Sequence, residues 1–167
     1  LPIKPANGPT IPSFSQLSIS ELSGISGIKH LKQGEFFYEK SEPNRLLKLL
    51  AQYELYKKIH KVSGDIYEFG VFKGTGVIKW ATFRLASKEQ FKRKIFAFDT
   101  FGKFPKSSYP KDKKFLNEFI KDAGINSYSL QKIKQIVKKK KFINIEFIKG
   151  DINKTLLEFI KKNKKLN

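Results

Sequence analysis

The stretch GDIYEFGVFKGTGVIKWA, residues 64–81, sets a short apolar-rich run against a helical pattern, with a glycine-rich turn between them. Residues 65–71 read as a β-strand. Residues 76–87 place Val77, Ile78, Trp80, Ala81 and Leu85 on one side of a helix. Gly70, Gly74 and Gly76 fall at the junction. Glycine takes positive φ without strain and lets another group approach the backbone closely. The N–H groups of the first helical turn lack partners inside the helix, so they are open to a ligand at the strand's end. The spacing is G-x3-G-x-G. It is not the G-x-G-x-x-G of dinucleotide folds, and Lys73 precedes Gly74, so it is not a P-loop either. The glycines alone leave two readings open: a ligand-binding edge or a tight corner.

Working outward, residues 94–99 (KIFAFD) form a second strand, nearly all apolar, as strands buried on both faces are. Residues 142–149 (FINIEFIK) form a third. Helices are expected at 41–60, 113–123, 129–140 and 153–163, with Gly124 separating the middle pair. In the first, Ser41 is the expected cap, Pro43 suits the first turn, and Leu46, Leu49, Leu50, Tyr53 and Tyr56 recur at helical spacing. Strands alternating with helices predict an α/β fold, a parallel sheet with right-handed crossovers and helices on both faces. Tyr67 is expected to pack against a covering helix, and Trp80 in the core. Residues 1–40, rich in Ser, Gly and Pro, read as an irregular arm with one short helix near 18–23. The α/β domain then occupies 41–167.

Composition narrows the function. The chain has 167 residues, enough for one domain with a real core. Its net charge of +19 suggests a polyanion partner, but only Arg45, Arg84 and Arg93 of its 34 basic residues are Arg. Arg's planar fork is the better tool for phosphates and bases, so a solvated Lys surface is the favoured reading and nucleic acid is disfavoured. The run of Lys at 138–141 suits a helix C-terminus. There is no Cys, which excludes disulfides and thiolate metal sites and agrees with a cytoplasmic location. No apolar run is long enough to span a bilayer, and no secretory signal opens the chain. His30 and His60 have no acid partners at ligand spacing, and no nucleophile elbow is present.

In a doubly wound sheet, ligands bind outside the carboxyl ends of the strands. The second strand ends in Asp99, where an acid can accept hydrogen bonds from both hydroxyls of a ribose. It can equally cap the loop that follows. The third ends in Gly150-Asp151. Asp151 can accept from the exocyclic amine of a purine, or cap the last helix.

The segment 64–76, with IFAFDTFGKFP ending at Pro105, resembles the macrocin O-methyltransferase family. Lys149-Gly150 and Thr155-Leu156 extend the likeness, which covers about residues 44–160. The resemblance implies a Rossmann-like class I fold that uses S-adenosyl-L-methionine to methylate hydroxyls of small molecules, often nucleotide-linked or macrolide-linked deoxysugars. It implies that Glu68, Gly70, Gly74, Thr75 and Gly76 form the loop on the methionine side. Asp99 would hold the ribose. Thr100 and Phe101 would flank the adenosine, with Phe101 packing on it. Gly150, Asp151 and Ile152 would border the adenine. The family's F-E-G-L-P reads with Gly102-Lys103 in place of Glu-Gly here, which reverses a charge beside the cofactor.

The family's acidic magnesium ligands belong to later strands that this sequence does not match. Mg2+ is therefore implied by resemblance with no ligand assigned, and no catalytic base is assigned. The expectation is an N-terminal half of the fold, a fragment of a longer protein. The first strand is then an open edge that another chain can pair with, so a homo-oligomer is among the expected states. Two other functions stay in view: an RNA methyltransferase with a basic surface, and a non-catalytic domain of the same fold.

Overall fold

The computed structural model describes residues 37–104, 109–124 and 126–163. The expected helix near 18–23 lies outside them. The contacts divide these residues into two compact units. One holds residues 37–63 with Phe83–Glu89; the other holds Gly64–Thr82 with the residues from Gln90 onward.

In the first unit, residues 37–40 are helical and α1 follows at Pro43–Lys58, then a 3₁₀ turn at Ile59–Lys61. Ser41 does not cap α1. Its N–H donates to the carbonyl of Phe37, closing the helical turn before it, and Glu42 takes the cap position without a side-chain bond. The expected apolar face of α1 is only partly covered: Tyr56 is 1% exposed, whereas Leu50 is 60% exposed. Tyr53 and Tyr56 pack on Phe83, and the Tyr56 hydroxyl donates to Glu89 at 2.9 Å. His60 Nδ1 lies 3.5 Å from the same carboxylate.

The second unit carries the sheet. Strands β1 (Ile66–Phe69), β2 (Ile95–Asp99) and β3 (Ile145–Lys149) are all parallel, in the order β1-β2-β3, with Ile66 opposite Ile95 and Ile95 opposite Ile145. Among the described residues β1 is an edge strand. The helices are α2 (Thr75–Ala86), α3 (Pro110–Ala123), α4 (Leu130–Lys139) and α5 (Ile152–Lys162).

β2 is buried along its apolar length, and its side chains alternate between two cores. Ala97 joins Val71, Val77, Ile133 and Val137, from the glycine loop, α2 and α4. On the opposite face Phe96 and Phe98 meet Phe159 of α5 at 4.9 and 5.4 Å. Tyr67 stacks on Phe96 and meets Phe159 edge-on, so it does pack against a covering helix. Helices thus lie on both faces of the sheet. Each large apolar side chain removed from water contributes roughly 1.5–3 kcal/mol, so the alternation in β2 anchors both layers.

The third strand begins later than its apolar pattern suggests. Lys141 and Asn144 both have φ of 56°, and the N–H of Phe142 donates back to Val137. Residues 142–144 therefore belong to the turn between α4 and β3, with Phe142 packed on the core. α3 starts three residues earlier than expected, at Pro110, whose ring favours a first helical position. Among the described residues no helix is long and apolar enough to cross a membrane.

Candidate functional site

The carboxyl ends of all three strands open onto one cleft of about 770 Å3. Of the residues expected to hold a cofactor, Gly70, Asp99, Thr100, Gly150, Asp151 and Ile152 line it. Glu68, Gly74, Thr75, Gly76 and Phe101 do not.

Asp99 organises the cleft floor. Its Oδ2 accepts the N–H groups of Val71 and Phe72 at 2.7 and 2.9 Å. Its Oδ1 accepts that of Phe101 at 2.6 Å. One carboxylate thus ties the loop after β1 to the loop after β2. The loop-capping reading of this acid is present in the structure, and Asp99 also borders the cleft, where a ribose could share its lone pairs.

The glycines have separate reasons. Gly70 has φ of 89° and open space where a side chain would be, so it leaves bare backbone on the cleft. Gly76 is helical. A Cβ there would collide with the Glu68 carboxylate, which lies against the first turn of α2. Glu68 is held beneath that turn with its Oε2 buried and unpartnered. Burial pushes its carboxyl up to about 7, against a lowering by Lys79; the charge of Asp99 adds to the rise.

Asp151 caps α5: its Oδ1 accepts from the N–H of Asn153 at 2.9 Å. It lines the cleft as well, so capping and ligand contact are compatible. Thr100 is exposed at the cleft.

Phe101 is placed differently from its expected role. It is 6% exposed, belongs to the core cluster with Ile133 and Val137, and meets Phe147 edge-on. The cleft's aromatic lining comes instead from Phe69 and Phe98 on the strands and from Phe72, Phe104 and Phe119 around them; sequence reasoning gave none of these a ligand role, nor Ser127 or Asn153. Phe104 lies within the motif with no role given to it, and Phe119 is one of two aromatics on α3, with Phe115. Lys103, the reversed charge, does line the cleft.

A methionine-derived cofactor suits two of these features: bare backbone at Gly70 and an acid at the end of β2. Among the described residues no group of three or more His, Cys, Asp or Glu is gathered to hold a metal ion, so nothing here is assigned to magnesium.

Comparison with known proteins bears on these features. A family model described as Macrocin-O-methyltransferase (TylF) matches residues 44–163. No curated protein matches the sequence significantly. Among solved structures, the O-methyltransferase NovP aligns with a TM-score of 0.55 at 19% identity, over 65% of this chain and 47% of that one. CalS11, a calicheamicin methyltransferase, aligns with a TM-score of 0.60 at 18% identity, over 96% of this chain and 70% of that one. An apo structure of CalS11, described as a TDP-rhamnose 3'-O-methyltransferase, gives 0.50 at 20% identity, over 90% and 63%. The chain thus spans about half the length of NovP. At these identities the likeness shows a shared fold, the Rossmann-like fold of methyltransferases. With a family match over most of its length, the chain belongs to the macrocin-O-methyltransferase family.

Proposed function

We propose that this chain binds S-adenosyl-L-methionine along the carboxyl edge of its sheet and serves O-methyl transfer to a hydroxyl of a small molecule, a deoxysugar or a nucleotide-linked sugar. The observation that carries the reading is the single cleft that brings together Gly70, Asp99 and Gly150-Asp151 from the ends of three adjacent parallel strands. Membership of the family supports the reaction class, and CalS11's description as a TDP-rhamnose 3'-O-methyltransferase supports a sugar acceptor.

The cofactor, when bound, supplies an activated methyl group, so the protein's share of the work is binding and orientation. Asp99 fixes the two loops that border the cleft and has acceptor capacity for ribose hydroxyls. Asp151 and Asn153 offer an acceptor and an amide at the β3 end. Glu68, outside the cleft lining, keeps its Oε2 buried and unpartnered beneath the first turn of α2. No described residue is assigned to take the acceptor's proton. A basic surface read as an RNA footprint has less support: Arg84 is 1% exposed and Arg93 is 7% exposed, with Arg93 donating to the carbonyl of Gly64.

Calorimetric titration with S-adenosylhomocysteine tests this. The folded chain is expected to bind in the micromolar range, and Asp99→Ala to weaken binding about tenfold or more, the loss of a charged hydrogen bond. A chain that is folded by circular dichroism and gives no binding heat or spectral change would refute the reading.

A further inference from the structure

We infer that Phe104 and Phe119, set in place by Phe72, form the platform on which the ligand's purine ring stacks. The inference rests on the cofactor reading above and names the side chains that recognise the base. Three observations lead to it.

The three rings touch pairwise. Phe72 lies 5.3 Å from Phe104 and 5.4 Å from Phe119, and Phe104 lies 5.4 Å from Phe119, centroid to centroid. All three line the cleft and all three are half-buried, so the trio is packed and still presents surface. It also draws on three separate segments: the loop after β1, the loop after β2, and α3.

The trio is held in place by more than its own contacts. Phe72 has φ of 50°, a conformation that a bulky residue adopts only when its surroundings impose it. Here the constraints are visible: its N–H donates to Asp99, and its carbonyl accepts from Tyr128 at 3.0 Å. The same acid that borders the cleft therefore fixes the ring on which Phe104 and Phe119 pack.

The residue expected to do this job is elsewhere. Phe101 is buried in the core with Ala97, Ile133 and Val137 and is absent from the cleft lining. Phe69 and Phe98 also line the cleft, but they lie on the strands and pack on each other at 5.2 Å, with Phe98 1% exposed. Phe104 and Phe119 are the rings that the loop after β2 and α3 add, and Asp151 and Asn153 line the same cleft with polar groups for the base edge. Stacking of a base on an aromatic side chain tolerates any purine face, so the platform supplies affinity and the polar groups supply discrimination.

The test measures S-adenosylhomocysteine binding to the wild-type chain and to Phe104→Leu, Phe119→Leu and Phe104→Tyr. Alongside, proton NMR follows the adenine H2 and H8 of the bound ligand. Wild type should shift both resonances upfield through ring currents. Each Leu variant should raise the dissociation constant at least about fivefold, the low end of the cost of losing a stacked ring, and lose part of the upfield shift. Phe104→Tyr, which keeps the ring, should stay within about twofold of wild type. Leu variants that bind like wild type overturn the inference. So does a fall in affinity with the upfield shift intact, because the rings then only support the fold. Loss of binding in Phe104→Tyr also counts against it. A wild-type chain that fails to bind S-adenosylhomocysteine overturns the cofactor reading itself, and this inference with it.

Discussion

Replacing Asp99 by Asn changes one oxygen to NH2 at nearly constant shape. In the wild type the carboxylate accepts three backbone N–H groups, from Val71, Phe72 and Phe101. An amide can aim its oxygen at Val71 and Phe72, but its NH2 then confronts the N–H of Phe101. The two retained bonds fall from charged to neutral strength, a loss of about 1 kcal/mol each, and the orphaned donor costs about 1–3 kcal/mol. Because Asp99 is half-buried, some of this is screened, and a total of about 2–4 kcal/mol is expected. With a urea slope of about 2 kcal/mol/M, the unfolding midpoint should fall by about 1–2 M. Hydrogen exchange gives the local counterpart: the amides of Val71, Phe72 and Phe101 should lose protection first. If Asp99→Asn instead unfolds within about 0.5 kcal/mol of wild type, with those amides still protected, the loop-tying role is wrong. A collapse in S-adenosylhomocysteine affinity alongside such unchanged stability would leave Asp99 as a ligand contact alone.

Gly76→Ala sets a Cβ against the Glu68 carboxylate, the free end of a flexible side chain that can shift, while Ala gains up to about 1 kcal/mol over Gly inside a helix. Net stability should change by less than about 1 kcal/mol, and a double-mutant cycle with Glu68→Ala should make the same substitution stabilising. Glu68 should impose its own pH dependence. With its carboxyl raised from 4.5 to about 7, the folded state holds a proton that the unfolded state has already released, so stability from this group falls as pH rises through that window and levels off above it. Glu68→Gln should therefore gain stability relative to wild type as pH rises from 4.5 to about 7; a difference that is flat with pH refutes the assignment. Phe159→Ala should cost about 3 kcal/mol by denaturant unfolding, because its ring closes the sheet face over Tyr67, Phe96 and Phe98.

The strands and helices of the second unit were legible because their apolar residues obey a simple period. KIFAFD is apolar at consecutive positions, and the structure buries Ile95 to Phe98 in two cores. What the period does not encode is where an element stops. Residues 142–149 are apolar enough for a strand throughout, yet Lys141 and Asn144 take left-handed φ and delay β3 to Ile145. Ser41 has the right chemistry for a cap, but the helical turn at residues 37–40 ends on its N–H. In α1 the helical spacing was right and the burial was not, since periodicity says which residues share a face and not what covers it.

The site shows the same division more sharply. That an acid ends β2 is visible in the sequence; that its lone pairs are largely committed to three backbone donors is not, because those donors are amides whose direction depends on two loops folding together. Which phenylalanine reaches the cleft is hidden for the same reason. FDTFGKF offers Phe101 and Phe104 three residues apart, and nothing in their chemistry separates them. The separation comes from the N–H of Phe101, which Asp99 draws inward while φ of 53° carries its side chain into the core. Phe104, past the turn, is left on the cleft side with Phe72 and Phe119. One carboxylate therefore decides which phenylalanine lines the cleft, and sequence alone lists both without ordering them.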